Sequence, residues 1–597
     1  MTSVEIRRQL VEALRLDLIG PGGGLGKSDE ILPQSPSRWY LTGFLVPLEA
    51  EETQRAEPAA NDEMDEVGDS KGLDDAVVPD TPAARQAYLP SSMGVSVLVG
   101  KATKSLRVVV RWGDYHLTRG GDGRSGPPEW RRTGYEQLLD LDLPEASTAP
   151  QEKTVPASSG LKVALSVRPV QSEGREGELP KGSRSVSVFL VNRRKPAPDE
   201  TRDEAFAFQT ELEINSHEPL VARPNLRSLE SGDWDERVAD LQYRDAWEFA
   251  VGHSVATDAV VDERGECHTV RTCWVPAAQV ERVAPAPMSG VELSMDAIAG
   301  LTDGADAKAK LSGFVSQYRD WIRQQEQKMP QSPARRREMA EELLKRAVQA
   351  AGRIEQGIAL LADPQCLDAF RIANRAMAAA ARRRECIRQQ KDPVTVDPPA
   401  WRPFQLAFIL MNLPGIAEPT NADRGVVDLL FFPTGGGKTE AYLGLAAFTL
   451  VLRRLRNQGI GSAGLSVLMR YTLRLLTLDQ LGRAATLICA LEMERQKDVD
   501  KLDDWPFEIG LWVGKAATPN LMGQKGESSE GTARQRTRAF QSGLSNASPI
   551  PLEVCPWCGE RFTKNSFRLE PNPDYPTDLR VLCMNRRCDF SRGQFLP

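Results

Sequence analysis

Apolar and polar positions repeat with different periods along the chain, and the changes of period divide it. Val4 to Ile19 has helix-like amphipathic spacing; a glycine-rich turn and an apolar segment, Arg38 to Pro47, follow. From Gly94 to about Val275 the period is two. The runs Val95–Val99, Leu106–Trp112, Leu161–Val167, Val186–Val191 and Phe208–Ile214 are separated by turn residues, which predicts an antiparallel β domain, a sandwich or a barrel. Between Ala284 and Gln390 the period becomes helical, over Leu311–Gln327, Ala334–Leu361 and Leu367–Gln389, with Pro330, Pro333 and Pro364 as punctuation. A proline-rich linker, Pro393–Pro399, introduces a third pattern. Short apolar runs at Val426–Phe432, Gly464–Arg470 and Phe507–Val513 are predicted as strands, the first of them buried in a parallel sheet. A helix starting near Pro403 and another over Ala441–Leu455 lie between them, and the polar, Gly/Ser-rich stretch Lys515–Leu544 reads as mobile.

The fold class expected is multidomain, α/β plus β. It has an N-terminal antiparallel β domain (1–283), a helical domain (284–392) and a third, α/β domain (393–597). A length of 597 residues suits several domains, and a net charge of −7 argues against an overall basic nucleic-acid binder while leaving room for a local basic channel. Acidic residues crowd the stretch from Glu49 to Asp80, which reads by composition as a disordered loop: a solvated insertion, or a segment that competes for a basic groove. No apolar stretch reaches membrane-spanning length and Met1–Gly20 lacks a signal-peptide core, so a cytoplasmic protein is expected. Nine cysteines are few and odd in number, which favours metal ligation over a disulfide framework.

Candidate chemistry concentrates after residue 400. The apolar run ending at Phe432 leads into Pro433-Thr434-Gly435-Gly436-Gly437-Lys438-Thr439 and then a helix. A strand, a glycine turn, Lys-Thr and a helix make a phosphate cradle: backbone N–H groups close on the anion, Lys438 reaches the β/γ-phosphates, and the Thr439 hydroxyl holds Mg²⁺. Phe432 stands where the general P-loop pattern has its first glycine; an ordinary glycine turn is the bland alternative. Gly22 to Ser28 mimics the motif but follows a helical pattern and precedes no helix, so it reads as a turn. Cys555-Pro556-Trp557-Cys558 and Cys583 to Cys588 supply four thiolates for a closed, structural zinc site at Cys555, Cys558, Cys583 and Cys588. Cys267-His268 near Cys273 reads as a hairpin rather than as half a metal site. Two arginine clusters, Arg335–Arg337 and Arg382–Arg384, are either solvated helix faces or phosphate-contacting ones.

The form Pro-Thr-Gly-x-Gly-Lys-Thr resembles that of superfamily 2 helicases, which implies that 393–597 is a partial RecA-like P-loop domain with a zinc-binding insertion at 550–593. Trp401-Arg402-Pro403-Phe404-Gln405 resembles their Q-motif, in which Gln405 would read adenine; a surface glutamine on a helix is the alternative. Tyr471-Thr472-Leu473-Arg474 resembles motif Ia, which implies DNA-backbone contacts from Thr472 and Arg474, against an amphipathic helix packed on a sheet. Together with Pro36–Pro47 these segments resemble the DrmA family, the helicase subunits of the DISARM anti-phage defence system. That resemblance implies an ATP hydrolase that translocates on DNA, with ATP and Mg²⁺ as cofactors and DrmB as a partner subunit. A superfamily 2 motor also needs an Asp-Glu pair on a later strand and a second RecA-like domain. Asp503-Asp504 follows a charged segment rather than an apolar strand, so the chain is expected to be the N-terminal part of a longer motor, inactive by itself. A non-catalytic ATP-binding, DNA-docking or switch module is the competing class.

Overall fold

The computed structural model describes residues 2–22, 30–48, 89–119, 128–170, 179–195, 202–224, 233–280, 283–392, 395–432, 436–471, 474–513, 518–527, 531–591 and 594–597. The acidic stretch 49–80 and most of the Gly22–Ser28 turn lie outside them. The chain divides into two compact units, Met1–Val280 with Gln331–Met339, and Glu281–Pro330 with Ala340–Pro597.

The first unit opens with α1 (Ser3–Ile19), whose N-terminus is closed by a Thr2–Glu5 capping box. Among the described residues eleven strands follow: β1 (Ile31–Leu32), β2 (Ser92–Val99), β3 (Ser105–Arg119), β4 (Pro128–Asp142), β5 (Gln151–Thr154), β6 (Leu161–Pro169), β7 (Arg184–Asn192), β8 (Phe208–Asn215), β9 (Ala250–His253), β10 (Ala256–Val261) and β11 (Cys267–Cys273). They form two antiparallel sheets, ordered β1-β4-β3-β8-β11-β10 and β5-β6-β7-β2-β9. Alternate residues of both sheets meet in one core: Met93, Val95 and Val97 from β2, Val108, Val110 and Trp112 from β3, and Val186, Val188 and Leu190 from β7. The predicted runs are all strands. The long β4 is legible only in the structure, where it pairs with β3 from Ser105↔Asp142 to Arg119↔Pro128. One of its inward positions is Arg132, fully buried and donating to Gln209 Oε1 (3.0 Å), so a polar residue hides the apolar period. Cys267 and Cys273 sit on the β10–β11 hairpin, and they belong to no metal-holding group among the described residues.

Asp240, buried in α2 (Trp234–Gln242), receives Arg335 (3.1 Å) and Arg336 (2.9 Å), all within this unit. Burial alone would raise the Asp240 pKa, but the hydrogen bonds from Arg336 and Arg335 win and lower it. These two arginines are therefore neither a solvated face nor open to phosphate.

The second unit is built on helices: α3 (Gly304–Gln327), α4 (Ala334–Leu360, which belongs to this unit from Ala340 on), α5 (Pro364–Gln389), α6 (Pro403–Ala417), α7 (Lys438–Arg456) and α8 (Arg474–Lys497). The central one is α5. Asp363 caps it, Pro364 takes the first turn, and small residues such as Ala369, Ala373, Ala376 and Ala380 let α7 and α8 pack closely on it. One apolar core runs from Met295 through these helices to Trp557 and Phe590. Beyond them, the described residues of Lys515–Leu544, read from composition as mobile, contain a further helix, α9 (Ala533–Ser542), started by the Thr532 side chain, which accepts from the Gln535 N–H. No helix of the described residues is long and apolar enough to cross a membrane.

The three strands predicted around the loop are not strands in this structure. Residues 426–432, 464–470 and 507–513 join no sheet among the described residues. In the first and third of them exposure nevertheless alternates along the chain. Asp428 is gripped by Arg353 (2.6 and 2.8 Å) and Phe432 stacks on Phe404 (4.1 Å between ring centroids), whereas Val427, Leu429 and Phe431 are 95%, 85% and 88% exposed. Phe507 is buried under the Arg454 guanidinium, and Trp512 is 98% exposed. These two segments thus lay one face on the helices and leave the other bare. A strand is defined by ladder hydrogen bonds to a neighbour, and an extended apolar run without one stays a loop.

Candidate functional site

The glycine turn is held from α6. Trp401 is buried, and its indole N–H donates to Asn374 Oδ1 of α5 (2.7 Å), which fixes where α6 begins. Pro403 fills the first helical position, and Gln405, three residues after Arg402, turns its amide back: Oε1 accepts from the Arg402 N–H (2.8 Å). The other edge of the same amide donates to the Gly437 carbonyl (2.7 Å), and the Arg402 guanidinium donates to the Gly436 carbonyl. Gln405 is only 4% exposed, with both edges engaged inside the chain. Gly437 starts α7 with φ +87°, and a Cβ there would stand 2.7 Å from Gln405 Nε2. Glycine is required by both the backbone angle and the space.

The N-terminus of α7 follows. Lys438 Nζ donates to the Phe432 carbonyl, six residues back, so the lysine lies across the turn. Thr439 is buried, and its Oγ1 accepts from the Tyr442 hydroxyl (3.1 Å), which lies 3.4 Å from that of Tyr471. Burial first, then the Tyr442 hydroxyl, raises the Tyr471 pKa, keeping it a neutral donor. Glu440 receives Arg384 of α5 (2.9 Å) and Arg483 of α8 (3.4 Å). The structure therefore brings Gln405, Gly436, Gly437, Lys438 and Thr439 together at the N-terminus of α7, beside Arg402, a setting whose chemistry suits an anion. Thr434 and Gly435 lie outside the described residues, as do Thr472 and the side chain of Arg474, the first residue of α8.

The predicted basic cluster Arg382–Arg384 is spent on carboxylates: Arg382 on Asp296, Arg383 on Asp589 and Arg384 on Glu440. Sequence reading missed Arg402, Glu440 and Arg483. The three-residue spacing of Arg402 and Gln405 across Pro403 is the helix-start signal that could have paired the first of them with the loop. Asp503 is no metal carboxylate here: its side chain accepts from the Gly459 N–H (2.5 Å) and the Asp504 N–H (2.6 Å), closing a turn.

The second centre is sulfur. Sγ atoms of Cys555, Cys558, Cys583 and Cys588 all lie within 4.8 Å of one another. Cys558 and Cys583 are 3.4 Å apart and Cys555 and Cys588 3.9 Å; a tetrahedral ZnS₄ centre with bonds of about 2.3 Å has sulfur–sulfur edges near ~3.8 Å. The Asn585 N–H donates to Cys583 Sγ (3.4 Å), and its side-chain amide lies 3.9 Å from Cys558 Sγ, contacts that favour thiolate. Hydrogen bonds from Cys555, then Cys588, push the Cys558 thiol down. A short hairpin, β12 (Phe567–Glu570) and β13 (Asp578–Val581), lies between the two cysteine pairs. The donor set can hold a zinc ion, in a shell that four sulfurs close.

No family model matches the chain. It is 29% identical, over 633 aligned positions, to the DISARM protein DrmA of Bacillus paralicheniformis; the match takes in 98% of this chain and 53% of that protein, so the chain spans about half the length of the curated relative.

Proposed function

We propose that this chain is the nucleotide-binding front portion of an ATP-dependent DNA helicase or translocase acting in anti-phage defence. The observation that carries the reading is the turn itself: Gly436 and Gly437 latched by Arg402 and Gln405, with Lys438 and Thr439 presented at the start of α7. The similarity to a DISARM protein supports the defence role. In this reading Lys438 leaves the Phe432 carbonyl for the β/γ-phosphates, and Thr439, with Thr434, Gly435, Gly436 and Gly437 around it, helps to hold Mg²⁺ and the anion. Gln405 reads adenine by exchanging its partners on Gly437 and Arg402 for the base. In this reading 426–432, 464–470 and 507–513 become strands of a RecA-like sheet only when a C-terminal motor domain is joined; DNA and the DrmB subunit are the further partners, DNA being met through Thr472 and Arg474. Zinc at the four cysteines is structural.

A second reading is favoured by one observation. Near the loop, Glu440 is spent on Arg384 and Arg483, and Asp428 on Arg353, so neither is free to orient Mg²⁺ and water. On that ground the isolated chain binds ATP without turning it over.

Titration with ATP tests the core of both readings. The chain binds ATP with Mg²⁺, and Lys438→Ala removes measurable binding; equal binding by the variant excludes the loop as the site. Gln405→Ala weakens ATP more than GTP, and equal losses exclude the adenine role. DNA-stimulated hydrolysis appears only when the remainder of the motor is joined to the chain; robust turnover by the chain alone leaves the non-catalytic reading without support.

A further inference from the structure

Two helices each touch both centres. On α5, the Arg383 guanidinium lies 4.7 Å from the centre of the Trp557 ring and 3.3 Å from Asp589. The Trp557 N–H donates to the same Asp589 (2.6 Å). The next residue, Arg384, holds Glu440 (2.9 Å). On α8, the Thr486 hydroxyl donates to the Pro556 carbonyl (2.9 Å), and Arg483, one turn earlier, reaches the same Glu440 oxygen (3.4 Å). Pro556 and Trp557 lie between the ligands Cys555 and Cys558, and Asp589 directly follows Cys588. Gly559, with φ +76°, closes the first knuckle, where a Cβ would press on Ile387 of α5 at 3.1 Å. Both helices thus contact residues next to sulfur ligands through Arg383 and Thr486, and Glu440 through Arg384 and Arg483.

Glu440 is well placed to transmit this. It follows Lys438 and Thr439 directly, and its second oxygen would stand 3.4 Å from a Cβ at Gly437. With Arg384 and Arg483 in place its charge is neutralised and the first turn of α7 is fixed. If either arginine shifts, an uncompensated carboxylate lies under the turn and repels any anion there.

We propose that Glu440 is a positioning residue through which the four-cysteine knuckle sets the loop, so that metal loading of the knuckle and nucleotide binding at Lys438 are coupled. The inference rests on the reading of the loop as a nucleotide site. Metal fixes both cysteine turns; these fix Arg383 and Thr486; α5 and α8 then hold Arg384 and Arg483 on Glu440. Linkage makes the effect reciprocal: bound nucleotide also tightens the metal.

The test uses the whole chain and a fluorescent ribose-labelled ATP. Zinc-loaded protein binds the probe about 5–150-fold more tightly than chelator-treated protein, the span typical of such couplings. Saturating probe slows zinc transfer to a chromophoric chelator. Arg383→Ala keeps all four ligands; with zinc still bound by native mass spectrometry, it weakens the probe without touching the loop. Glu440→Gln keeps zinc but makes probe affinity independent of metal. Probe affinity unchanged by chelation and by Arg383→Ala overturns the coupling while leaving the nucleotide site standing. No binding of the probe by zinc-loaded wild type overturns both.

Discussion

At the scale of single residues the loop is defined by what each atom is already doing. Gln405 spends its acceptor on the Arg402 N–H and its donor on the Gly437 carbonyl, so it tells helix start and loop where the other is. Gly437 allows this only because it has no Cβ. Gly437→Ala asks an L-residue for the left-handed region, at about 1–2 kcal/mol, and drives a methyl into Gln405. ATP affinity should fall at least ~10-fold, the equivalent of about 1.4 kcal/mol, in the same titration used for Lys438→Ala. Unchanged affinity in a folded variant would mean that the loop binds nothing in this shape. Cys558→Ser should likewise cost the chain its zinc, read by metal analysis; full zinc occupancy in the variant would remove Cys558 from the ligand set.

At the scale of elements, the extended segments are two-faced. Phe432 stacks on Phe404 and Phe431, beside it, touches little, being 88% exposed. Phe431→Ser should therefore leave the stability of this chain within about 0.5 kcal/mol, whereas Phe432→Ala removes the aromatic stack, itself worth about 0.5–1.5 kcal/mol beyond the area buried. Thermal unfolding of the two variants compares them directly. A large loss for Phe431→Ser would show that the outer face is already covered. Helix α5 illustrates the opposite case, an element decided by its small residues: Ala369, Ala373 and Ala376 line up at helical spacing and admit α7 and α8, so enlarging any of them overpacks the core that also carries Trp557.

For the whole molecule, the two units have separate apolar cores, and each offers a handle. Trp112, fully buried in the first and stacked on Tyr135 at 5.1 Å, is the largest wholly enclosed side chain there. Trp112→Ala should cost the first unit about 3–5 kcal/mol, seen as a lowered transition by calorimetry. Removing zinc should lower the transition of the second unit, because Cys555, Cys583 and Cys588 lie within its core. If both treatments move one and the same transition by equal amounts, the division into two units is wrong.

The chain by itself determined its periodic parts. Strands β2, β3, β6, β7 and β8 and helices α3, α4 and α5 are legible because a period of two or of 3.6 puts apolar side chains on one face, and burial of that face is a local consequence of spacing. The helix start after Gly437 and the grouping of the four cysteines are equally legible, because a glycine at positive φ and paired thiols each answer a specific geometric need. Tertiary structure alone decided the rest. It put Arg132 into the sheet core, Arg335 and Arg336 on Asp240, and Arg382–Arg384 on three different carboxylates, since a charge chooses its partner in space and leaves no period behind. It also left 426–432, 464–470 and 507–513 outside any sheet: an apolar run records the wish to be buried, but a strand exists only where a neighbouring backbone supplies the other half of its hydrogen bonds.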